Sequence, residues 1–167
     1  MSWYLIQTKP RQEQLARANL ERQNYTVYLP FARLRRRRRG KSVTEPGPMF
    51  PSYLFIALSE GRDEWGPIRS TIGVARLVRF GESFARVPEQ LIQVLKQRED
   101  SAGIQPLPER PFQVGDAVRV AEGPFEGYEA VIHARSARER TVILLKVIEN
   151  YIKVQLDPKY LEPINGR

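Results

Sequence analysis

The sequence predicts an α+β protein in two parts: an α/β sandwich built on an antiparallel sheet over residues 1–100, and a small β-barrel over residues 112–167. Strand-like and helix-like segments interleave in the first part, as is typical of α+β folds. Residues 101–111 contain three prolines and no hydrophobic periodicity, which predicts a semi-extended linker. The second part is too short for a large core, and closing its short strands into a barrel removes exposed sheet edges.

The first strand and helix follow from local pattern. Residues 3–7 are mostly apolar, which predicts a strand. A proline suits the first turn of a helix, so residues 10–23 should be helical, with Leu15, Ala16 and Leu20 facing inward.

Later segments of this part alternate in the same way. Residues 25–29 are β-branched and aromatic and predict a strand, and residues 74–80 predict another. Residues 52–58 have almost no polar side chain, so that strand should be covered on both faces. A short, imperfect helix is expected over residues 63–70, and an amphipathic helix should begin at Pro88.

Positive charge is concentrated in one segment. Residues 1–100 hold 18 Lys and Arg against 10 Asp and Glu, and residues 101–167 hold 9 against 9. Seven of the cations lie in residues 33–41, and a turn signal at residues 40–42 predicts a protruding basic hairpin that ends at residues 46–48. One basic element on a balanced body indicates a single polyanion contact.

In the second part, short strands are expected at residues 117–121 and 129–133, joined by a tight turn rich in glycine. Residues 141–156 can be written with two periods. Ile152, Val154 and Leu156 alternate with polar residues as in a strand, whereas a stripe at helical spacing is formed by Leu144, Leu145, Ile148, Tyr151 and Ile152.

Composition argues against catalysis. The chain has no cysteine, and its single histidine, His133, is expected to be structural. No glycine-rich phosphate loop or metal-ligand spacing is present, so we expect neither an enzyme nor a cofactor. No apolar run approaches the roughly 20 residues that cross a bilayer, and a cytoplasmic monomer without membrane contact is expected.

Motifs in both parts resemble the NusG family of transcription elongation factors. Similar in order and spacing to the family's N-terminal domain are residues 3–5, 50–55, 72–74 and 77–81. The second part resembles the KOW motif through Gly115, Asp116, Val118, Val120, Gly123, Pro124, Phe125 and Gly127. Within the family, residues 20–23, 39–41 and 78–81 look most like the RfaH-type, operon-specific antiterminators.

The resemblance implies a polymerase-binding factor. Its N-terminal domain would bind the clamp helices of the largest RNA polymerase subunit and reach the second-largest subunit, which keeps the clamp closed and raises processivity. The KOW domain would recruit a small-subunit ribosomal protein or Rho. Residues matching the polymerase-binding positions are Phe50, Pro51, Tyr53, Phe55, Phe80, Ile92 and Leu95. From pattern alone, such aromatics are more often simply core.

Nucleic-acid contacts are expected at two places. Lys9, Arg22, Gln23 and Thr71 resemble positions that contact non-template DNA, although Asn19 and Ile72 replace a histidine and an arginine of that site. Residues 64–67 likewise replace a polar patch for the second-largest subunit. The second place, near upstream DNA or that same subunit, is the run of Arg35, Arg36, Arg37, Arg38, Arg39 and Lys41; a solvated charge run is the alternative.

The resemblance also leaves open the resting fold of the second part. An RfaH-like chain could form a C-terminal helical hairpin that refolds into the barrel, and both periods of residues 141–156 agree with this alternative. Two other functions stay open: a ribosome-associated, RNA-binding KOW protein, and a housekeeping NusG linked to Rho.

Overall fold

The computed structural model describes residues 1–106, 127–134 and 136–156. Its strands are β1 (Ser2–Thr8), β2 (Thr26–Tyr28), β3 (Phe31–Arg38), β4 (Lys41–Pro48), β5 (Tyr53–Leu58), β6 (Val74–Leu77), β7 (Arg79–Phe80), β8 (Ser83–Phe84), β9 (Arg86–Val87) and β10 (Ile104–Gln105). Its helices are α1 (Glu13–Arg22), α2 (Gly66–Arg69), α3 (Glu89–Gln97), α4 (Gly127–Ile132) and α5 (Ala137–Leu156).

The central sheet has the order β2-β5-β1-β6, and β9 pairs with part of β1. All of these pairings are antiparallel, and β1 and β5 run from Ser2 opposite Leu58 to Gln7 opposite Tyr53. Every residue of β5 after Tyr53 is buried, which confirms the prediction of a strand covered on both faces. The mixed α/β architecture with antiparallel sheets is therefore confirmed.

The two faces of the sheet carry separate apolar clusters. Leu54, Ile56 and Leu58 of β5 share one cluster with Ala16 and Leu20 of α1. Tyr53 and Phe55 of β5 point to the opposite face, where they share the other cluster with α3. The prediction that Leu15 faces inward is wrong, because its side chain is 45% exposed.

Residues 74–80 form two strands instead of the one predicted. The backbone N–H of Val78 donates to Leu5 O at 2.9 Å, and Ala85 N–H donates to Val78 O at 2.9 Å. The chain then leaves the central sheet, and β7 pairs with β8 in a separate ribbon. The expected helix over residues 63–70 shortens to α2, with Pro67 in its first turn.

The predicted basic hairpin is formed by β3 and β4, which pair along their whole length. Its tip is Arg39-Gly40, one residue earlier than the sequence pattern indicated. Both residues have positive φ, 52° and 78°, as in the type I′ turn that matches the twist of a two-residue hairpin.

The expected linker begins inside the fold. Ile104–Gln105 pairs in parallel with the start of β3 and makes the hairpin a three-stranded sheet. The carboxylate of Asp100 accepts backbone N–H groups of Ala102 and Ile104 and binds Arg33. Residues 101–106 are thus fixed to the first part by side-chain hydrogen bonds that the proline pattern did not indicate; residues 107–111 lie outside the described residues.

The described residues of the second part are helical, where a barrel was the leading expectation. The strand predicted over residues 129–133 is wrong, since α4 covers most of it, and residues 141–156 lie in α5. Buried side chains of α5 recur every three or four residues: Arg140, Ile143, Leu144, Val147, Ile148 and Ile152. Packing of that stripe selects the helical period. Of the KOW residues, Gly127 begins α4, and Gly115, Asp116, Val118, Val120, Gly123, Pro124 and Phe125 lie outside the described residues.

Candidate functional site

An apolar surface forms where the sequence predicts the polymerase contact. We call it the groove surface and define it by Phe50, Tyr53, Phe55, Phe80, Ile92 and Leu95, all of which belong to or pack against one cluster. Phe50, Phe55, Ile92 and Leu95 are buried, whereas Tyr53 and Phe80 are partly buried. Pro51, expected beside them, is exposed in the turn before β5.

Aromatic rings give this surface its shape. Phe55 meets Phe50 edge to face, with ring centroids 5.9 Å apart, and stacks on Tyr28 at 6.2 Å. The hydroxyl of Tyr28 donates to Glu99 Oε1 at 2.7 Å. Burial, and then the hydrogen bond and charge of Glu99, raise the pKa of Tyr28. The phenol therefore stays neutral and acts as a fixed donor.

The ammonium group of Lys96 lies over two aromatic rings of the same cluster. Lys96 Nζ lies 5.1 Å from the ring centroids of both Trp3 and Tyr28, within the range of cation–π attraction. Sequence reasoning missed Tyr28 and Lys96 as part of this surface, because residues 28 and 96 meet only after β2 and α3 pack. An aromatic residue in a predicted strand does not by itself indicate which residues it will meet.

Helices α4 and α5 cover this cluster. Tyr128 and Val131 of α4, and Leu144 and Ile148 of α5, belong to the same apolar cluster as Phe55. Residues of the groove surface and side chains from the second part are therefore buried in one shared cluster. Apolar side chains are the expected lining of a surface that receives an amphipathic helix.

One buried cation joins the two parts. Arg140 is 4% exposed, and its Nε donates to the carbonyl oxygen of Met49 at 3.0 Å. Burial lowers the pKa of this guanidinium. Among the described residues, no carboxylate lies within the 4.0 Å ion-pair distance of Arg140. A backbone carbonyl thus receives a charge that a carboxylate would stabilise better.

The second predicted site assembles where α1 ends beside the loop after α2. Gln23 Nε2 donates to Thr71 Oγ1 at 2.9 Å, and Arg22 Nη1 donates to Asn19 Oδ1 at 3.1 Å. Asn19 Nδ2 in turn donates to Ile72 O at 3.0 Å. Thr71 is 7% exposed and its hydroxyl also donates to Pro67 O, so it supports the loop internally.

The solvent-exposed side of this site carries both basic side chains and an apolar one. Lys9 is exposed, and its backbone N–H donates to Gly73 O at 2.9 Å, which brings it to the same loop. Ile72 is 70% exposed at the tip. Gly73 has φ +100°, and a Cβ there would lie 2.8 Å from Ala16 N, so only glycine allows the loop to approach α1 this closely. The structure therefore brings Lys9, Arg22, Gln23 and Thr71 together.

The predicted basic residues of the hairpin lie on β3, β4 and their turn. Exposed residues are Arg35, Arg37, Arg38, Arg39 and Lys41; the side chain of Arg36 lies outside the described part. Arg33 pairs with Asp100 at 2.8 Å, and Arg38 pairs with Glu45 at 2.8 Å. The hydrogen bond from Arg33, followed by that from the Ile104 backbone, lowers the pKa of Asp100.

The segment 64–67, which replaces the polar patch that the resemblance assigns to the second-largest subunit, is partly structural. Trp65 packs edge to face on Tyr4, with centroids 4.9 Å apart, and lies 5.0 Å from Phe84. The hydroxyl of Tyr25 donates to Glu64 O. These contacts fix α2 against the sheet and leave Gly66 and Pro67 exposed.

Within residues 1–106, 127–134 and 136–156, no group of three His, Cys, Asp or Glu side chains is placed to hold a metal ion. In the same ranges, no helix is both long and apolar enough to cross a membrane.

Comparison with known proteins identifies the first part. Residues 1–96, from β1 almost to the end of α3, match the family described as "Transcription termination factor nusG". The transcription termination/antitermination protein NusG of Thermus thermophilus is 26% identical, over 94% of this chain and 95% of its own length. The proteins of that name from Neisseria meningitidis and Streptomyces griseus are 22% and 26% identical, covering 98% and 84% of this chain. The chain spans 56% of the length of the Streptomyces protein. Because the family match covers more than half of the residues, this chain belongs to the NusG family of transcription factors.

Proposed function

We propose that this chain is a transcription elongation and antitermination factor that binds the clamp helices of the largest RNA polymerase subunit through the groove surface. From there it would reach the second-largest subunit across the main channel and raise processivity. The observation that carries the proposal is the occupant of the surface. In the isolated chain, a pair of helices, α4 and α5, already packs into the same buried cluster as Phe50 and Phe55. A surface that accepts one helical pair is suited to accept another.

The docked helices then act as a competitor of the polymerase. While α5 covers the groove surface, a second helical pair has no access to it, so release of α4 and α5 must precede binding. The charge of Arg140, buried without a carboxylate among the described residues, lowers the stability of the docked form and favours release. Refolding of residues 112–167 into the alternative KOW barrel, and recruitment of a ribosomal protein or Rho by it, would follow release.

A closed resting form supports action on selected operons. A factor that must first be opened needs a trigger, and the exposed site of Lys9, Arg22 and Gln23 is available for non-template DNA while α5 is docked. The exposed side chain of Ile72 replaces a charged residue with an apolar one, which is suited to van der Waals contact with bases. A general, Rho-linked NusG is the alternative within the family. Family membership weighs against a ribosomal KOW protein.

Retention of the full chain on immobilised core polymerase tests the proposal. We expect weak retention of the wild type and stronger retention of Ile148→Asp, because a carboxylate at a position with 0% exposure cannot stay buried and α5 undocks. The matched control is Val142→Asp, on the same helix but 46% exposed, which should behave as the wild type.

A second variant locates the contact. Adding Tyr53→Ala to Ile148→Asp should abolish the gained retention, since Tyr53 is a partly buried aromatic of the groove surface on β5. Neutralising Arg35 and Arg37 in the same background should leave retention intact. If Ile148→Asp undocks α5, as shown by hydrogen exchange, yet retention does not rise, the groove surface is not the polymerase site.

A further inference from the structure

The hairpin of β3 and β4 has two chemically different faces. Residues directly opposite one another in an antiparallel pair point to the same side. One side, the odd face, carries Arg33, Arg35 and Arg37, with Pro46, Thr44 and Ser42 across from them. The other side, the even face, carries Leu34 and Arg38, with Glu45 and Lys41 across from them.

The protein neutralises some of these arginines itself. Arg38 on the even face pairs with Glu45 at 2.8 Å. Arg33, at the base of the odd face, pairs with Asp100 at 2.8 Å. In both cases the chain supplies the carboxylate.

Arg35 and Arg37 have no such partner within the described part of the chain. Both are exposed, and among the described residues no carboxylate lies within 4.0 Å of either guanidinium. They are two residues apart, about 6.8 Å along the strand, and like charges on one face repel. The cross-strand residues are hydroxyl-bearing, Thr44 and Ser42, so this end of the odd face presents hydrogen-bond donors and uncompensated positive charge.

The turn places an arginine in a backbone conformation that does not favour it. Arg39 has φ +52° at the first central position of the type I′ turn, where Asn, Asp or Gly fits best. An arginine there has no steric advantage, and left-handed backbone is unfavourable for it. Backbone strain of this kind is concentrated at functional sites.

We propose that the odd face of the hairpin, through Arg35 and Arg37 with Ser42 and Thr44 beside them, binds the phosphate backbone of duplex nucleic acid without reading its sequence. Arginine, serine and threonine are the usual donors to phosphate oxygens. Residues 32–49 contain no aromatic residue on which an unpaired base could stack, and no Asn or Gln to read an adenine edge. A duplex backbone is therefore the matching ligand. The inference rests on the proposed function only for the presence of nucleic acid near the protein.

Salt dependence of binding to a short labelled DNA duplex tests the inference on the full chain without polymerase. Two double variants each remove two charges from the same hairpin: Arg35→Gln with Arg37→Gln on the unpaired positions, and Arg33→Gln with Arg38→Gln on the paired ones. Each lost phosphate contact should reduce the slope of log K against log salt by about 0.9, so the first variant should lose about 1.8. The second should lose less than half as much.

Single variants control for the possibility that changing Arg33, which pairs with Asp100 at the base of the hairpin, disturbs folding there. Arg37→Gln and Arg38→Gln are adjacent in sequence and lie on opposite faces, and only the first should reduce the slope by about 0.9. Circular dichroism must show the same fold for all variants.

Four results would overturn the inference. Equal losses for the two double variants would mean that net charge alone matters, and no loss for Arg35→Gln with Arg37→Gln would mean that these residues do not touch phosphate. Equal or tighter binding of a single strand would contradict the duplex. Competition by polyglutamate as effective as that by DNA would identify an acidic protein surface instead. Failure of polymerase retention would leave these results unaffected, so the two proposals fail separately.

Discussion

Truncation of Leu144 to alanine should open the docked helices. The side chain of Leu144 is 0% exposed and belongs to the cluster that contains Phe55. Removing a fully buried leucine side chain costs about 2–5 kcal/mol of packing free energy. Leucine and alanine have similar helix propensities, so the helical state of an undocked α5 changes little by comparison.

The cost translates into a population of the open form. A loss of about 3 kcal/mol multiplies the ratio of undocked to docked chain by on the order of 100. Hydrogen exchange of the α5 backbone amides measures this ratio, because amides that exchange through undocking lose protection by the same factor. Amides of β1 and β5, in the central sheet, should keep their protection in the variant.

Val142→Ala is the matched control on the same helix. Val142 is 46% exposed, so its truncation removes little buried surface, and alanine has the higher helix propensity. Protection of α5 should be unchanged or slightly raised. Equal loss of protection in Leu144→Ala and Val142→Ala, or no loss in either, would refute docking of α5 through its buried stripe.

Two further predictions concern the loop beside α1 and the base of the hairpin. Gly73→Ala should destabilise the protein by about 3 kcal/mol in denaturant unfolding, because a Cβ would lie 2.8 Å from Ala16 N at a φ of +100°. The control Gly81→Ala, at a φ of +64° with open space around it, should cost only about 1–2 kcal/mol. Equal losses would show that the close approach to α1 is absent. The pKa of Asp100 is lowered first by the hydrogen bond from Arg33, so Asp100 stabilises the fold at pH values above the ordinary pKa of an aspartate. This stabilisation is lost as the pH falls through the lower pKa of the folded state. Arg33→Gln should raise the Asp100 pKa measured by NMR titration, and an unchanged pKa would contradict the pairing.

The two proposed contacts use different physics and so can act in sequence. The hairpin is exposed while α5 is docked, and its phosphate contact would be electrostatic, sequence-independent and weakened by salt. The groove surface is apolar and covered, and its use requires release of α4 and α5. A closed chain could therefore meet nucleic acid first and the polymerase clamp afterwards.

Local pattern in the sequence predicted most elements of the first part. The run at residues 52–58 is central because it has almost no polar side chain to face water, and the amphipathic spacing after Pro88 gives α3. The alternation of Tyr53 and Phe55 placed both on one face of β5, as the structure confirms. These predictions succeeded because period and polarity act over a few residues.

Predictions that failed depended on distant partners. Leu15 lies one position away from the buried stripe of α1, and periodicity alone did not distinguish it from Ala16. The beginning of the expected linker joins β3 as a strand, because Asp100 accepts Arg33 and backbone N–H groups in a turn. Neither the exposure of Leu15 nor the contacts of Asp100 can be predicted from the neighbouring residues in the sequence.

The sequence by itself determined a basic hairpin, an apolar strand pattern and a family resemblance, since each is written in contiguous residues. Only the tertiary structure decided the state of residues 141–156, whose sequence carries both a helical and a strand period. Packing against the groove surface buries the helical stripe and so selects the helix. The tertiary structure also decided which arginines of the hairpin have a carboxylate partner. Arg33 and Asp100 are 67 residues apart in sequence, and only the fold brings them together. The same fold leaves Arg35 and Arg37 without a carboxylate partner among the described residues.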